Sequence, residues 1–418
     1  AFAEHKEASI RILFYLRDIR GGQGERDLFR NCLAWLGTIH PAIFKQIVTF
    51  IPEYGRWDDM FFDFPACIET IRTQLIKDTT SVTPSLLAKW MPTINASSPT
   101  TRGKARFFAD KLELTHIAYR KLIRNIRKTI ATVEEKMSAN QWPEINYSSV
   151  PSQASRIYKN AFKKHDETRY NEFIEQAKTG KAKINAGTLY PYQIYKTAQN
   201  NYSETLEALW NQLPDYTRGK NAIVVADVSG SMAGDPMAVS VSLALYFAEK
   251  NKGQFKDHFI TFSNKPVLQR IQGTTLIDKI NSIETANWKM NTDLQAVFDL
   301  ILNTAIQHNT PIIEMPETIY IISDMEFDQA CGTQTNLETI KTKYEQSNYK
   351  IPNLVFWNVD ARSGKNLPAQ KNKQGIALVS GLSPVIFKIA VENKTPEQIM
   401  LDTINSERYA PIKIEPQI

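Results

Sequence analysis

At Asn221 the periodicity of the chain changes, and this change constrains the fold more than any other feature of the sequence. Upstream, apolar residues recur at helical spacing, as in Ile10, Leu13, Phe14 and Arg17, then Leu28, Cys32, Trp35 and Leu36. No alternating stretch persists before about Gln212, so the first half reads as all-helical. Downstream, short runs of β-branched and small apolar residues appear: NAIVVADVSG from 221, HFITFSN (258–264), ETIYIISDM (317–325), NLVFWNVD (353–360) and GIALVSGL (375–382). Helical patterns at 236–251, 292–308, 336–347 and 396–405 lie between or after them. Strands alternating with helices imply a mostly parallel sheet covered on both faces. The expected fold class is therefore α + α/β: a helical, HEAT-like domain over 1–215, then a doubly wound, Rossmann-like sheet domain over 221–418, joined by the polar linker LPDYTRGK. In the helical half, turn-rich breaks separate six to eight helices, which suggests stacked antiparallel pairs.

The chain has 418 residues, beyond what one hydrophobic core organises, and its 42% hydrophobic content excludes disorder as the dominant state. Three scattered cysteines, Cys32, Cys67 and Cys331, cannot staple a fold, which favours a reducing, intracellular setting, cytoplasmic or within a virus particle. No apolar run approaches the roughly 18 residues of a membrane span, so no membrane partner is expected. Because Ala1 falls almost inside a helical pattern, an earlier start to the chain is expected. There is no G-x-S-x-G, HExxH, GxxxxGK or CxxC, and the six histidines are dispersed; an enzyme is not expected.

Chemistry concentrates at the ends of the expected strands, where doubly wound sheets bind ligands. The first strand closes in DVSGSM, which supplies Asp227, Ser229 and Ser231; the strand near 317–325 closes at Asp324; MNTDL places Thr292 before a helix. One or two carboxylates with hydroxyls form a hard oxygen set suited to Mg²⁺ or another divalent cation. A strand-to-helix turn with a Ser cap would account for Ser229 but not for Thr292 and Asp324. The combination resembles the metal-ion-dependent adhesion site of von Willebrand factor A domains. That resemblance implies that Ser229, Ser231 and Thr292 ligate Mg²⁺ through hydroxyls and that Asp227 and Asp324 act directly or through water. It also implies an open position for an acidic group of a protein partner. Met290-Asn291 stands where that family usually has Gly-Gly. Asp293 and Asp235 read as helix caps.

Charge is uneven. Residues 1–220 carry 32 Lys+Arg and 23 Asp+Glu, and residues 101–200 alone carry 19 and 9, an excess able to attract a polyanion. In 114–133 the apolar stripe Tyr119, Leu122, Ile123, Ile126, Ile130 and Val133 leaves Arg120, Lys121, Arg124, Arg127 and Lys128 on the other face, with Arg102, Lys104 and Arg106 nearby in sequence. These eight cations are the candidate RNA contacts, and a merely solvated face is the alternative. Arg17, Arg20 and Arg26, and the RWDD run at 56–59, read as loop-locking ion pairs around a buried Trp.

The segments RDIRGGQGERDLFR (17–30), EYGRWDDM (53–60), LAKWMPTINASSPTTRGKARFFADKL (87–112), YSSVPSQASRIYKNAFKKHDETRY (147–170) and TLYPYQI (188–194) resemble the signatures of an uncharacterised family in which a helical domain precedes an A-type domain. That layout is similar to the TROVE-module Ro ribonucleoproteins, which implies RNA binding. The expectation is a non-enzymatic, Mg²⁺-dependent RNA-binding protein. The rival is an assembly or scaffold component that captures a partner's carboxylate at the metal site.

Overall fold

The computed structural model describes residues 2–215, 217, 219, 221–228, 230–261, 265–285, 294–323, 334–359, 376–380 and 396–415. Two compact units are formed, one from Ala1–Asn146 with Met400–Ile418, the other from Tyr147–Ile399.

The first unit is helical. Lys6–Arg17 buries Ile10, Leu13, Phe14 and Arg17, one stripe of a 3.6-residue period. Pro41, Pro65 and Pro99 open three further helices, where the missing N–H costs nothing. Their apolar faces meet in a core that includes Phe14, Phe29, Phe44, Met60, Phe108 and Tyr119. Asp59, wholly buried, accepts hydrogen bonds from Arg17 Nε (2.8 Å), Arg30 Nε (2.7 Å) and the Arg56 amide (2.8 Å). The loop lock on the RWDD turn is thus formed by Arg17, one of the three expected arginines, and by Arg30, which was not among them. Among the described residues Arg26 pairs only with exposed Asp27; Arg20 is exposed and Trp57 is half-buried. Tyr409 and Ile412 belong to the same core although nearly 400 residues separate them from the first helix.

In the second unit a six-stranded sheet has the order β3-β2-β1-β4-β5-β6, with β1 Ala222–Ala226, β2 His258–Thr261, β3 Leu268–Arg270, β4 Thr318–Ser323, β5 Asn353–Asn358 and β6 Ile376–Ser380. All described pairings are parallel except β2–β3. The layout is therefore α + α/β. The short edge strand β3 was not expected, because its three residues, LQR, carry no apolar run.

The helix Asp235–Lys250 buries 12 of its 16 residues, more than a helix lying on a sheet with its back to water can bury. Its outer face is covered by upstream helices, chiefly Pro191–Asn201. Trp210 Nε1 donates to Glu249 (2.6 Å), Tyr246 OH to the Pro214 carbonyl (2.6 Å), Tyr195 OH to Glu284 (2.8 Å), and the Leu276 amide to Glu207 (2.7 Å). Residues 147–213 accordingly pack as part of the sheet unit, and the division by packing falls at Asn146–Tyr147 while the change of periodicity falls at Asn221. Among the described residues no helix is long and apolar enough to cross a membrane. Cys32 and Cys67 are free thiols, and burial pushes the Cys67 thiol up to about 12; Cys331 lies outside the described residues.

Candidate functional site

β1 pairs with β2 on one side and β4 on the other, so the chain crosses to opposite sides of the sheet at the carboxyl ends of β1 and β4. Such a switch point opens a crevice between diverging loops. Asp227 sits there. Its amide donates to the Ile322 carbonyl (3.1 Å), prolonging the β1–β4 ladder by one step. Its Oδ2 accepts from Ser323 Oγ at 2.7 Å, and the residue is only 3% exposed. Ser231 lies four residues after Asp227, in the 3-10 turn Gly230–Met232, and is exposed. Gly234, at φ +98°, then turns the chain into the helix Asp235–Lys250, a conformation a Cβ would strain.

A buried carboxylate held by a hydroxyl, with a second hydroxyl on the following turn, is a donor set of hard oxygens and fits Mg²⁺. Ser229, Thr292 and Asp324 lie outside the described residues. Asp324 follows Ser323 directly in the sequence, and Thr292 precedes the helix Leu294–Gln307 by two residues. Among the described residues no three Asp, Glu, His or Cys side chains gather as a metal cluster. Ser323 was not anticipated. Its signal is the hydroxyl immediately before Asp324, which the parallel register brings beside the residue after β1.

Asp235 differs from its expected role. Gly234 occupies the cap position without a side-chain bond, while Asp235 is the first helical residue and pairs with Lys196. Asp293 lies outside the described residues.

The eight candidate RNA contacts divide into two groups. Arg127 turns inward and donates to the carbonyls of Ala88 (2.7 Å) and Met91 (2.6 Å) and to Thr93 Oγ1 (2.9 Å), and burial lowers its pKa. Arg102 donates to the Ala96 and Ser97 carbonyls, both at 2.8 Å. Arg102 fastens the loop before its helix, and Arg127 holds the end of the short helix Leu87–Trp90 and the residues after it. Lys104, Arg106, Arg120, Lys121, Arg124 and Lys128 are exposed and have no acidic partner among the described residues. Arg120, Arg124 and Lys128 follow one another at four-residue steps along His116–Ile130, with Lys121 beside them, opposite buried Tyr119, Ile123 and Ile126. That helix ends at Ala131, in the left-handed conformation, and Thr132 caps the next, so Val133 does not continue the stripe.

The second unit thus defines a class: a mostly parallel α/β sheet domain with a buried carboxylate, Asp227, at its switch point, preceded by helices packed onto it. Residues 221–412 match the family model of a domain of unknown function, DUF7788. Residues 98–224 match that of another, DUF2828. The chain is also similar to the uncharacterized protein L728 of Acanthamoeba polyphaga mimivirus, 29% identical over 472 residues that take in 99% of this chain and 82% of that protein.

Proposed function

We propose that this chain is a non-enzymatic RNA-binding protein whose sheet domain holds Mg²⁺. The observation that carries the RNA half is the row Arg120, Lys121, Arg124 and Lys128, exposed on one helix face with no acidic partner among the described residues. Four such cations raise the local potential and displace counterions from a phosphate backbone without reading bases. The surrounding helices read as TROVE-like, and the sheet unit as a von Willebrand factor A domain. The strand order, the antiparallel edge strand and Asp227 at the switch point support the latter. In that reading Asp227, Ser229, Ser231, Thr292 and Asp324 hold the cation. When bound, it supplies a Lewis-acidic position for an acidic group. Ser323 orients the Asp227 carboxylate, and the β1–β4 ladder keeps that carboxylate at the crevice.

Replacing Arg120, Lys121, Arg124 and Lys128 by Glu tests the RNA half. Binding of a single-stranded RNA by the parent should weaken steeply with salt, with a log–log slope of about −0.7 per phosphate neutralised. The fourfold variant should lose at least tenfold in affinity and flatten that slope by roughly 3, while its circular dichroism stays that of the parent, because the buried stripe is untouched. Parent-like binding by a folded variant, or salt-insensitive binding by the parent, would sink the RNA reading.

A second reading, favoured by Asp227 at the crevice and Ser231 on the following turn, is an assembly component that captures a protein carboxylate through the cation. It expects Mg²⁺-dependent partner binding that survives both nuclease treatment and the fourfold substitution.

A further inference from the structure

A cavity of about 560 Å³ in the second unit lies between the helices Ser152–His165 and Pro191–Asn201, at the start of Asp235–Lys250. Its size falls within the range of small-molecule sites. Arg156, Lys159 and Asn160 line it from the first helix, Tyr192, Lys196 and Thr197 from the second, and Asp235 closes one end. It is built from two of the segments that stand out in the sequence, 147–170 and 188–194, and neither the metal site nor the cationic helix face uses it.

Its charge is unbalanced. Lys159 is 5% exposed, yet among the described residues the one acceptor on its ammonium is Asn160 Oδ1 at 3.4 Å. Arg156 is held by neutral oxygens, Gln153 Oε1 from Nε (3.2 Å) and Nη2 (3.0 Å) and Thr197 Oγ1 from Nη1 (2.8 Å). Gln153 in turn donates to Gln193 (2.9 Å), and Thr197 to the Gln193 carbonyl (2.7 Å), so the guanidinium is fixed in place across the two helices. Lys196 is the cation here with a carboxylate, Asp235. Three positive groups therefore face one negative group. Burial and the neighbouring Arg156 both disfavour the Lys159 ammonium, which agrees with a site short of an anion. A charge taken from water without a counter-charge is destabilising, and natural proteins keep such arrangements where a ligand supplies the missing partner. A tetrahedral dianion suits this site better than a carboxylate does. It offers more acceptor oxygens to the ammonium, the guanidinium edge and the surrounding amides and hydroxyl, and Tyr192 adds an aromatic wall.

We propose that this cavity binds a small phosphate-bearing ligand, with Lys159 and Arg156 as its anion contacts. The site is independent of RNA binding on His116–Ile130. Calorimetric titration of the 418-residue chain with inorganic phosphate and with adenosine monophosphate tests it, with a 20-nucleotide RNA as the third probe. At least one small probe should bind saturably at one equivalent, and Lys159→Met should weaken it tenfold or more without lowering the melting temperature or changing the RNA affinity. Should Lys159→Met fail to fold, the exposed Lys196→Gln decides: it leaves Asp235 uncompensated at the cavity and should weaken the same probe at least threefold. The proposal is overturned if neither small probe binds, if the folded variants bind them as the parent does, or if only RNA binding responds to Lys159→Met.

Discussion

A chain ending at Ile404 is expected to lose the cooperative unfolding of its first unit. Residues 405–415 insert Tyr409 and Ile412, 2% and 0% exposed, into the core built by the N-terminal helices. Tyr409 stacks on Tyr54 at 5.5 Å and meets Tyr15 edge-on at 6.1 Å. Its hydroxyl donates to Asp18 Oδ2 at 3.0 Å, Arg408 pairs with the same carboxylate, and Arg11 Nε donates to the Ile412 carbonyl at 3.0 Å. Emptying an aromatic and an aliphatic core site costs about 3–5 and 2–5 kcal/mol. Leaving Asp18, 1% exposed, without Arg408 adds the penalty of a buried charge deprived of its partner, ~3–5 kcal/mol. Together these come to about 8–15 kcal/mol, comparable with the roughly 5–15 kcal/mol that holds an ordinary domain folded. Thermal melts followed by circular dichroism should show the truncated chain losing an early, broad fraction of its helix signal. Tyr409→Ala alone should give a smaller shift of the same transition. If the truncated chain melts within about 2 °C of the parent, less than a 1 kcal/mol change would produce, the C-terminal segment is not structural.

That docking could not be read from the sequence, because nothing local in SERYAPIKI announces a partner some 400 residues away. Local signals fared better. Five β-branched runs became β1, β2, β4, β5 and β6, since apolar strands buried on both faces need continuous hydrophobic residues. The short helix Leu276–Glu284 went unnoticed despite its capping box, Thr275 with Asp278, whose reciprocal bonds are the usual start signal. The cationic helix shows where periodicity runs out. Residue 127 lies at the border between the two faces, and only the nearby carbonyls of Ala88 and Met91 decide that its guanidinium goes inward. Likewise, the boundary suggested by composition at Asn221 marks a change of element type, whereas packing follows the outer face of Asp235–Lys250, whose burial depends on helices from the other side of that boundary. At the switch point Asp227 and Ser231 were legible as oxygen donors, while Ser323 became visible only through the register of β4 against β1.

Asp227→Asn is expected to abolish stabilisation by Mg²⁺ while leaving the fold in place. The substitution keeps the shape of the side chain and an oxygen able to accept from Ser323, but it removes the charge that a hard cation requires. A ligand present at 100 times its dissociation constant stabilises the state it binds by about 2.7 kcal/mol, which in a domain of this size raises the melting temperature by roughly 5–10 °C. The parent should show that rise between chelator and saturating Mg²⁺, and Asp227→Asn should show none. In chelator the two proteins should melt together within a few degrees, because the carboxylate contributes binding rather than packing. Ser323→Ala separates orientation from coordination. It removes the 2.7 Å hydrogen bond and should reduce the Mg²⁺-induced rise without eliminating it, since second-sphere partners typically change metal affinity 10–100-fold. A parent whose melting temperature is indifferent to Mg²⁺, combined with an Asp227→Asn variant already destabilised in chelator, would make Asp227 a structural residue closing the β1–β4 ladder and would remove the cation from the proposed function.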